Sequence, residues 1–329
     1  MNLDQNAELS VAPMMDWTDR HCRLFHRQFS AHALLYTEMV TARALVHGDP
    51  ERLIGKSSAE GLVALQLGGS EPDVLAEACR IAAPFDYPEI NLNCGCPSDR
   101  VQSGAFGACL MRDPGLVAEC VSAMIAASDA EITVKCRIGV DEQEPREVLP
   151  EFLARISAAG VSRITIHARK AWLQGLSPKE NRDIPPLDHP LVLEMKGLFP
   201  ALHISINGGI MTLDDVETYL EAGLDGVMVG RAAYHDPAAI LADADRRIFG
   251  ENTGPVAAED AVRAMLPHIE AELGQGTRLN QITRHMLGAF AGRPGARQWR
   301  RTLSEGAHLP GAGPELLEAA LAHVERRAA

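Results

Sequence analysis

The chain has no run of about 18 apolar residues, the length a helix needs to span a bilayer, so no membrane segment is expected. Its first residues, MNLDQNAELS, lack a basic stretch followed by an apolar one, so no export signal is expected either. The seven cysteines are odd in number, scattered through apolar segments and without the spacing of a disulfide framework, which points to free thiols in a reducing compartment. No second cysteine pair or histidine cluster stands at zinc spacing beside Cys94 and Cys96, and the expectation is no metal. A glycine fingerprint of the dinucleotide-binding kind is missing. Positive charge is scarce: 31 Lys and Arg against 44 Asp and Glu leave a net charge of −13. Proteins that hold nucleic acid by overall attraction show a basic footprint, so any RNA role here has to rest on a local surface. Between Arg278 and Ser304 there are six arginines and no acid.

Hydrophobic residues make up 46% of the 329, enough for a sizeable core. Eight short β-rich runs follow one another: Leu9–Met14, Leu34–Val40, Leu62–Leu67, Glu89–Asn93, Ile132–Ile138, Arg163–Ala168, His203–Asn207 and Gly226–Val229. Between them, segments such as Pro72–Ala83, Pro114–Ala127, Val148–Ala159 and Leu213–Ala222 carry apolar residues at helical spacing. That order and size predict an α/β fold, a (β/α)8 TIM barrel over residues 1–249. Because Pro145 and Pro150 fit badly inside a helix, the helix after the fifth strand is expected to begin near Pro150. Gly250–Pro255 reads as a linker, and residues 250–329 as an all-helical C-terminal domain with helices over Ala257–Leu273, Leu279–Ala291, Gly295–Ser304 and Pro314–Arg327.

Strand residues two apart share a face. Glu89, Asn91 and Asn93 therefore line up, as do Thr133, Lys135 and Arg137, Thr165, His167 and Arg169, and Ser205 and Asn207, with Gln66 near the end of the third strand. One such polar residue is commonly structural; five strands placing them toward their C-terminal ends point to an active site, which in this fold lies at that face. Asn207-Gly208-Gly209 ends the seventh strand and Gly230-Arg231 the eighth, where backbone N–H groups can converge on a phosphate. Cys94 continues the alternation of its strand and reads as buried. Cys96 lies in a Gly/Pro loop at the catalytic face, where a thiol of ordinary pKa near 8.5 can act as an acid; a nucleophilic role stays open.

Val11-Ala12-Pro13-Met14, Gln66-Leu67-Gly68-Gly69, Asn91-Leu92-Asn93-Cys94-Gly95-Cys96-Pro97, Val134-Lys135-Cys136-Arg137, His167-Ala168-Arg169 and Asn207-Gly208-Gly209-Ile210 together resemble the motif set of the tRNA-dihydrouridine synthases, over nearly the whole chain. Lys170-Ala171-Trp172-Leu173, Lys179, Asn181-Arg182, Arg284-His285-Met286-Leu287 and Pro294-Gly295-Ala296-Arg297 resemble the A-type bacterial branch. The resemblance implies an FMN-binding barrel reduced by NADPH, a helical tRNA-binding domain, and uridines 20 and 20a of the tRNA D-loop as targets. It implies FMN contacts at Pro13, Met14, Met15, Gln66, Lys135, His167, Asn207, Gly208, Gly209, Gly230 and Arg231, with His167 on either the ribityl-phosphate or the substrate base. Cys96 takes the place of the proton donor, and Asn93, Lys179, Arg182, Arg297 and Arg300 that of tRNA contacts. Trp299 is expected to pack rather than stack on a base. The expected protein is a cytoplasmic monomer. A flavin barrel acting on a free pyrimidine, a non-catalytic RNA-binding barrel and a flavin-free sugar-phosphate barrel are the alternatives.

Overall fold

A computed structural model of the chain describes residues 3–98 and 105–328. Eight strands, β1 (Leu9–Val11), β2 (Leu34–Thr41), β3 (Val63–Gly68), β4 (Glu89–Cys94), β5 (Glu131–Arg137), β6 (Arg163–His167), β7 (His203–Asn207) and β8 (Gly226–Val229), close into one parallel barrel in chain order. The expected (β/α)8 barrel is the observed fold. Outward side chains such as Leu65, Ile90, Leu92, Val134, Ile164, Ile204 and Val229 bury against the surrounding helices, each worth about 1.5–3 kcal/mol of transfer free energy. Facing inward on one side are Ala12, Leu34, Tyr36, Ala64 and Met228. The opposite inner wall, from β3 to β7, is polar.

The polar wall has two ends with different tasks. At the start of β4 the fully buried Glu89 accepts hydrogen bonds from Tyr36 Oη (2.5 Å) and Thr133 Oγ1 (2.6 Å) and lies 3.4 Å from Arg163 Nη2 at the start of β6. Alternation puts Glu89 on the face of Asn91 and Asn93, but it lies at the N-terminal end of the barrel and plugs that end. Burial raises its carboxyl pKa against the pull of Arg163. Side-chain period reports the face and not the depth along the axis.

Helix boundaries differ from expectation where proline or packing intervenes. The helix after β5 runs Pro145–Ala158, starting five residues before Pro150. Pro145 takes the first helical position, where a missing N–H costs nothing, the Glu144 side chain accepts from Arg146 N, and Pro150 removes one later bond. The segment expected as one helix over Ala257–Leu273 is two, Ala258–Ala264 and Leu266–Gly274, because Pro267 cannot donate back to the preceding turn. The helix starting at Leu279 ends at Thr283 and turns follow to Gly295. Within those turns Gly288 meets the barrel: a Cβ there would lie 2.3 Å from the His235 carbonyl oxygen. Helices Ala296–Gly306 and Glu315–Ala328 complete the C-terminal part, and residues 250–257 before it form neither helix nor strand. Trp299 is fully buried, crosses Phe290 edge-on at 4.9 Å and donates Nε1–H to the Met286 carbonyl at 3.1 Å, so it packs as expected.

Candidate active site

The C-terminal ends of the strands open into a cleft of about 1210 Å³, mouth included. Of the expected site residues, Pro13, Met14, Met15, Gln66, Asn93, Cys96, Lys135, His167, Arg182, Asn207, Gly208, Gly209, Gly230 and Arg231 all line it. Lys179 sits outside the lining, and Arg297 and Arg300 lie exposed on the helix Ala296–Gly306.

The β4 loop is held by one line of directed hydrogen bonds. Backbone N–H groups of Gly95 and Cys96 donate to Asn93 Oδ1 at 3.0 and 2.9 Å, which bends the chain so that Cys96 enters the cleft. Asn93 Nδ2 donates to Gln66 Oε1 (2.9 Å), Gln66 Nε2 to Asn91 Oδ1 (2.9 Å), and Asn91 Nδ2 to Thr133 Oγ1 (2.8 Å), which continues to Glu89. Each member donates onward, so the orientation of every amide is determined by the carboxylate at the foot of the barrel. Gln66 is thereby left one N–H and one lone pair for a ligand. Asn93 acts first as the brace of the Cys96 loop, a role its sequence position does not announce. Cys96 is half-buried, with its Sγ donating to Ser98 Oγ at 3.5 Å.

Arg137, on the face of Lys135, is the second brace. It is 4% exposed, and its guanidinium donates to the backbone carbonyls of Gly95 (3.0 Å), Lys170 (3.0 Å) and Asn181 (2.8 Å). It thus ties the Cys96 loop to the loop after β6 that carries Lys179 and Arg182. Lys135 Nζ donates to Asn207 Oδ1 at 3.0 Å. Burial, with Arg137 close by, pushes its ammonium down to about 7. The buried His167 is pushed well below the usual imidazole range by desolvation first, then by Arg137 and Lys135, and is neutral at physiological pH.

Glycine is required after β7. Gly208 and Gly209 have φ of +104° and +77°, and a Cβ on either would come within 2.5 Å of His167 or Leu187. The Gly208 carbonyl is turned aside by His189, whose Nε2 lies 2.7 Å from it. A carbonyl only accepts, so Nε2 carries the proton and Nδ1 accepts from Tyr219 Oη at 2.6 Å. Opposite, Gly230 and Arg231 open the helix after β8, and Arg231 pairs with Asp183 at 2.7 Å while still lining the cleft. Lys135, Arg137, Arg182 and Arg231 line the cleft, and among the described residues no Asp or Glu does, although the whole chain carries −13. The cleft is built for an anion.

Trp17, Met39, Ile210 and Met211 also line it and were not foreseen. Trp17 stacks on Tyr234 at 4.3 Å with planes 13° apart. Met39 reaches the wall through a register shift in β2 between Tyr36 and Met39, which no periodicity reveals. The arginine stretch is less free than its composition implies: Arg284 pairs with Asp19, Arg293 with Glu259 and Arg301 with Glu305. Arg278, Arg297 and Arg300 are exposed and make no ion pair among the described residues.

A parallel barrel with paired glycines after its seventh strand, a glycine-arginine turn after its eighth, a sunken lysine and a half-buried thiol defines a (β/α)8 barrel with a cleft at the C-terminal ends of its strands. The family described as Dihydrouridine synthase (Dus) matches residues 10–325, and the chain belongs to that family. A protein of Vibrio cholerae named tRNA-dihydrouridine(20/20a) synthase is 54% identical over 323 residues, covering 98% of each chain. One of the same name from Pasteurella multocida is 56% identical over 315 residues, covering 96% of this chain and 95% of its own. Among solved structures, the old yellow enzyme homologue from Zymomonas mobilis shares the fold at TM-score 0.51 and 13% identity, covering 77% of this chain and 92% of that one. Among the described residues no helix is long and apolar enough to cross a membrane.

Proposed function

We propose that this chain reduces uridine to 5,6-dihydrouridine in the D-loop of tRNA, at positions 20 and 20a, using FMN, with NADPH as electron donor and Cys96 as proton donor. The observation that carries the reading is the cleft itself: three arginines, a lysine and a half-buried thiol, with no carboxylate among the described lining residues, in an acidic chain of the dihydrouridine synthase family. The relatives' names supply the substrate and the positions.

The residues fit FMN. Gly208, Gly209, Gly230 and Arg231 would hold its phosphate: all four line the cleft, and the positive φ at Gly208 and Gly209 turns the loop there. Asn207 orients Lys135, whose ammonium would stabilise negative charge on the flavin's pyrimidine end. The free N–H and lone pair of Gln66 would pair with the same edge, and Pro13, Met14 and Met15, which also line the cleft, would contact the ring system. The bound flavin supplies the hydride for C6 of the uracil. Cys96 delivers the proton to C5, so each uridine consumes one NADPH and one proton in total. His167, neutral and buried, has one ring N–H to donate and, beside Gly208, would offer it to the flavin's ribityl-phosphate side.

A uridine in the tRNA elbow reaches this depth only when flipped out of its stack, which costs a few kcal/mol. Residues 250–329 would offset that cost by gripping the RNA backbone through Arg297 and Arg300 on an exposed helix face, helped by Arg182 in the cleft lining and by Lys179 three residues before it in the loop after β6. The barrel over 1–249 does the chemistry. As a tRNA enzyme with free thiols, the protein would work in the cytoplasm, and as a monomer. The test is anaerobic: NADPH is added to the flavin-loaded protein until it bleaches, then unmodified tRNA or free uridine is supplied and dihydrouridine counted. Product in tRNA alone is expected. Reduction of free uridine with tRNA untouched would replace this reading by a small-molecule reductase.

A further inference from the structure

We propose that His21, His268 and Glu272 form a divalent-metal site of the zinc type that clasps the C-terminal helices to the barrel. Their ligand atoms all lie within 4.8 Å of one another. His21 stands in the helix Arg20–Arg27 that follows β1; His268 and Glu272 stand four apart, hence on one face, in the helix Leu266–Gly274. His21 Nδ1 and His268 Nε2 are 2.9 Å apart, so two ring nitrogens converge on one point and share a single proton. A metal ion bound at about 2.0–2.1 Å from each nitrogen takes the place of that proton. Tetrahedral ligands at that radius stand roughly 3.4 Å from one another, so the pair has to open by only about half an ångström.

The carboxylate is prepared in the same way. Arg20 Nη2 (2.9 Å) and Thr277 Oγ1 (2.7 Å) both bond to Glu272 Oε2, which holds the carboxylate in place and leaves Oε1 for an ion. His21 and Glu272 are buried and His268 is half-buried, giving one route of entry. Two imidazoles and one carboxylate suit zinc, cobalt or nickel and are a poor set for magnesium or calcium; water completes the shell. No spacing rule finds such a site, because His21 and His268 are 247 residues apart. It is independent of the tRNA chemistry proposed above.

Full-length protein stripped with a chelator would be titrated with Co²⁺ and then Zn²⁺. One equivalent of Co²⁺ with a visible d–d spectrum, displaced by Zn²⁺, is expected, with a rise in melting temperature of about 5 °C at a hundredfold excess of Zn²⁺ over Kd. His268→Gln can still hydrogen-bond to His21 but is a poor metal ligand, and should lose both the spectrum and the shift. Glu272→Gln keeps acceptors for Arg20 and Thr277 and should weaken binding at least tenfold, which serves if His268→Gln does not fold. Absence of stoichiometric binding to the native chain overturns the proposal, as does binding unaffected by these substitutions.

Discussion

Replacing Gly208 by alanine separates the phosphate cradle from ordinary backbone tolerance, because Gly223 supplies an internal control. Both have positive φ, +104° and +96°. A Cβ on Gly223 meets nothing within 4 Å, whereas one on Gly208 meets His167 Cδ2 at 2.5 Å and Nε2 at 2.7 Å. Backbone strain alone costs about 1–3 kcal/mol at either position. At Gly208 the buried His167 ring has to move as well, and overpacking of this kind adds about 1–3 kcal/mol. Gly223→Ala should therefore lower stability by about 1–3 kcal/mol and leave flavin binding alone. Gly208→Ala should lose more stability and also mis-aim the loop N–H groups; one charge-assisted bond to phosphate is worth about 1.5–3 kcal/mol. That is a rise in FMN Kd of roughly 10- to 100-fold. Thermal unfolding and quenching of flavin fluorescence measure the two quantities, with riboflavin as the ligand that lacks phosphate. The reasoning fails if Gly208→Ala binds FMN as tightly as the native chain, or if it loses riboflavin and FMN by the same factor.

Three further outcomes are expected. Tyr219→Phe removes the donor that sets the His189 tautomer and should weaken FMN about 3- to 10-fold while sparing riboflavin, read by the same titration. Lys135 has a folded-state pKa pushed down to about 7, below its unfolded value, so between about pH 7 and 10 the unfolded chain binds a proton that the folded apoprotein does not. Stability of the apoprotein relative to Lys135→Met should accordingly rise from pH 7 to 9, by on the order of 1–2 kcal/mol in urea titrations; a flat difference would refute the assignment. Arg297→Ala with Arg300→Ala should reduce the log–log salt slope of tRNA binding by about 1.4–1.8, with turnover at saturating tRNA unchanged.

Much of this molecule is legible from its residues because a parallel barrel repeats one rule. Alternation along β4 to β7 sorts Ile90, Leu92, Val134 and Ile166 outward and Asn91, Lys135, His167 and Asn207 inward, and all are found there. The paired glycines after β7 are legible for the same reason: the +104° and +77° backbone at Gly208 and Gly209 favours glycine. What escapes is whatever needs two distant segments at once. Glu89 shares a face with Asn93 but serves Arg163 at the other end of the barrel. The line from Tyr219 through His189 to Gly208 joins three separate segments. Arg284 and Arg293, basic in a stretch without acids, find their acids in Asp19 and Glu259. Charge counted along a chain does not predict charge on a surface.

The most direct test of the central claim splits the reaction at Cys96. Flavin-loaded Cys96→Ala is reduced anaerobically with NADPH, then mixed with unmodified tRNA, and the two half-reactions are timed against the native protein by flavin absorbance. With Cys96 as the acid, the first half-reaction keeps its rate and the second slows by about 10²–10⁴-fold. Reoxidation by tRNA at the native rate would contradict the account, for it would mean that the proton reaches C5 from elsewhere.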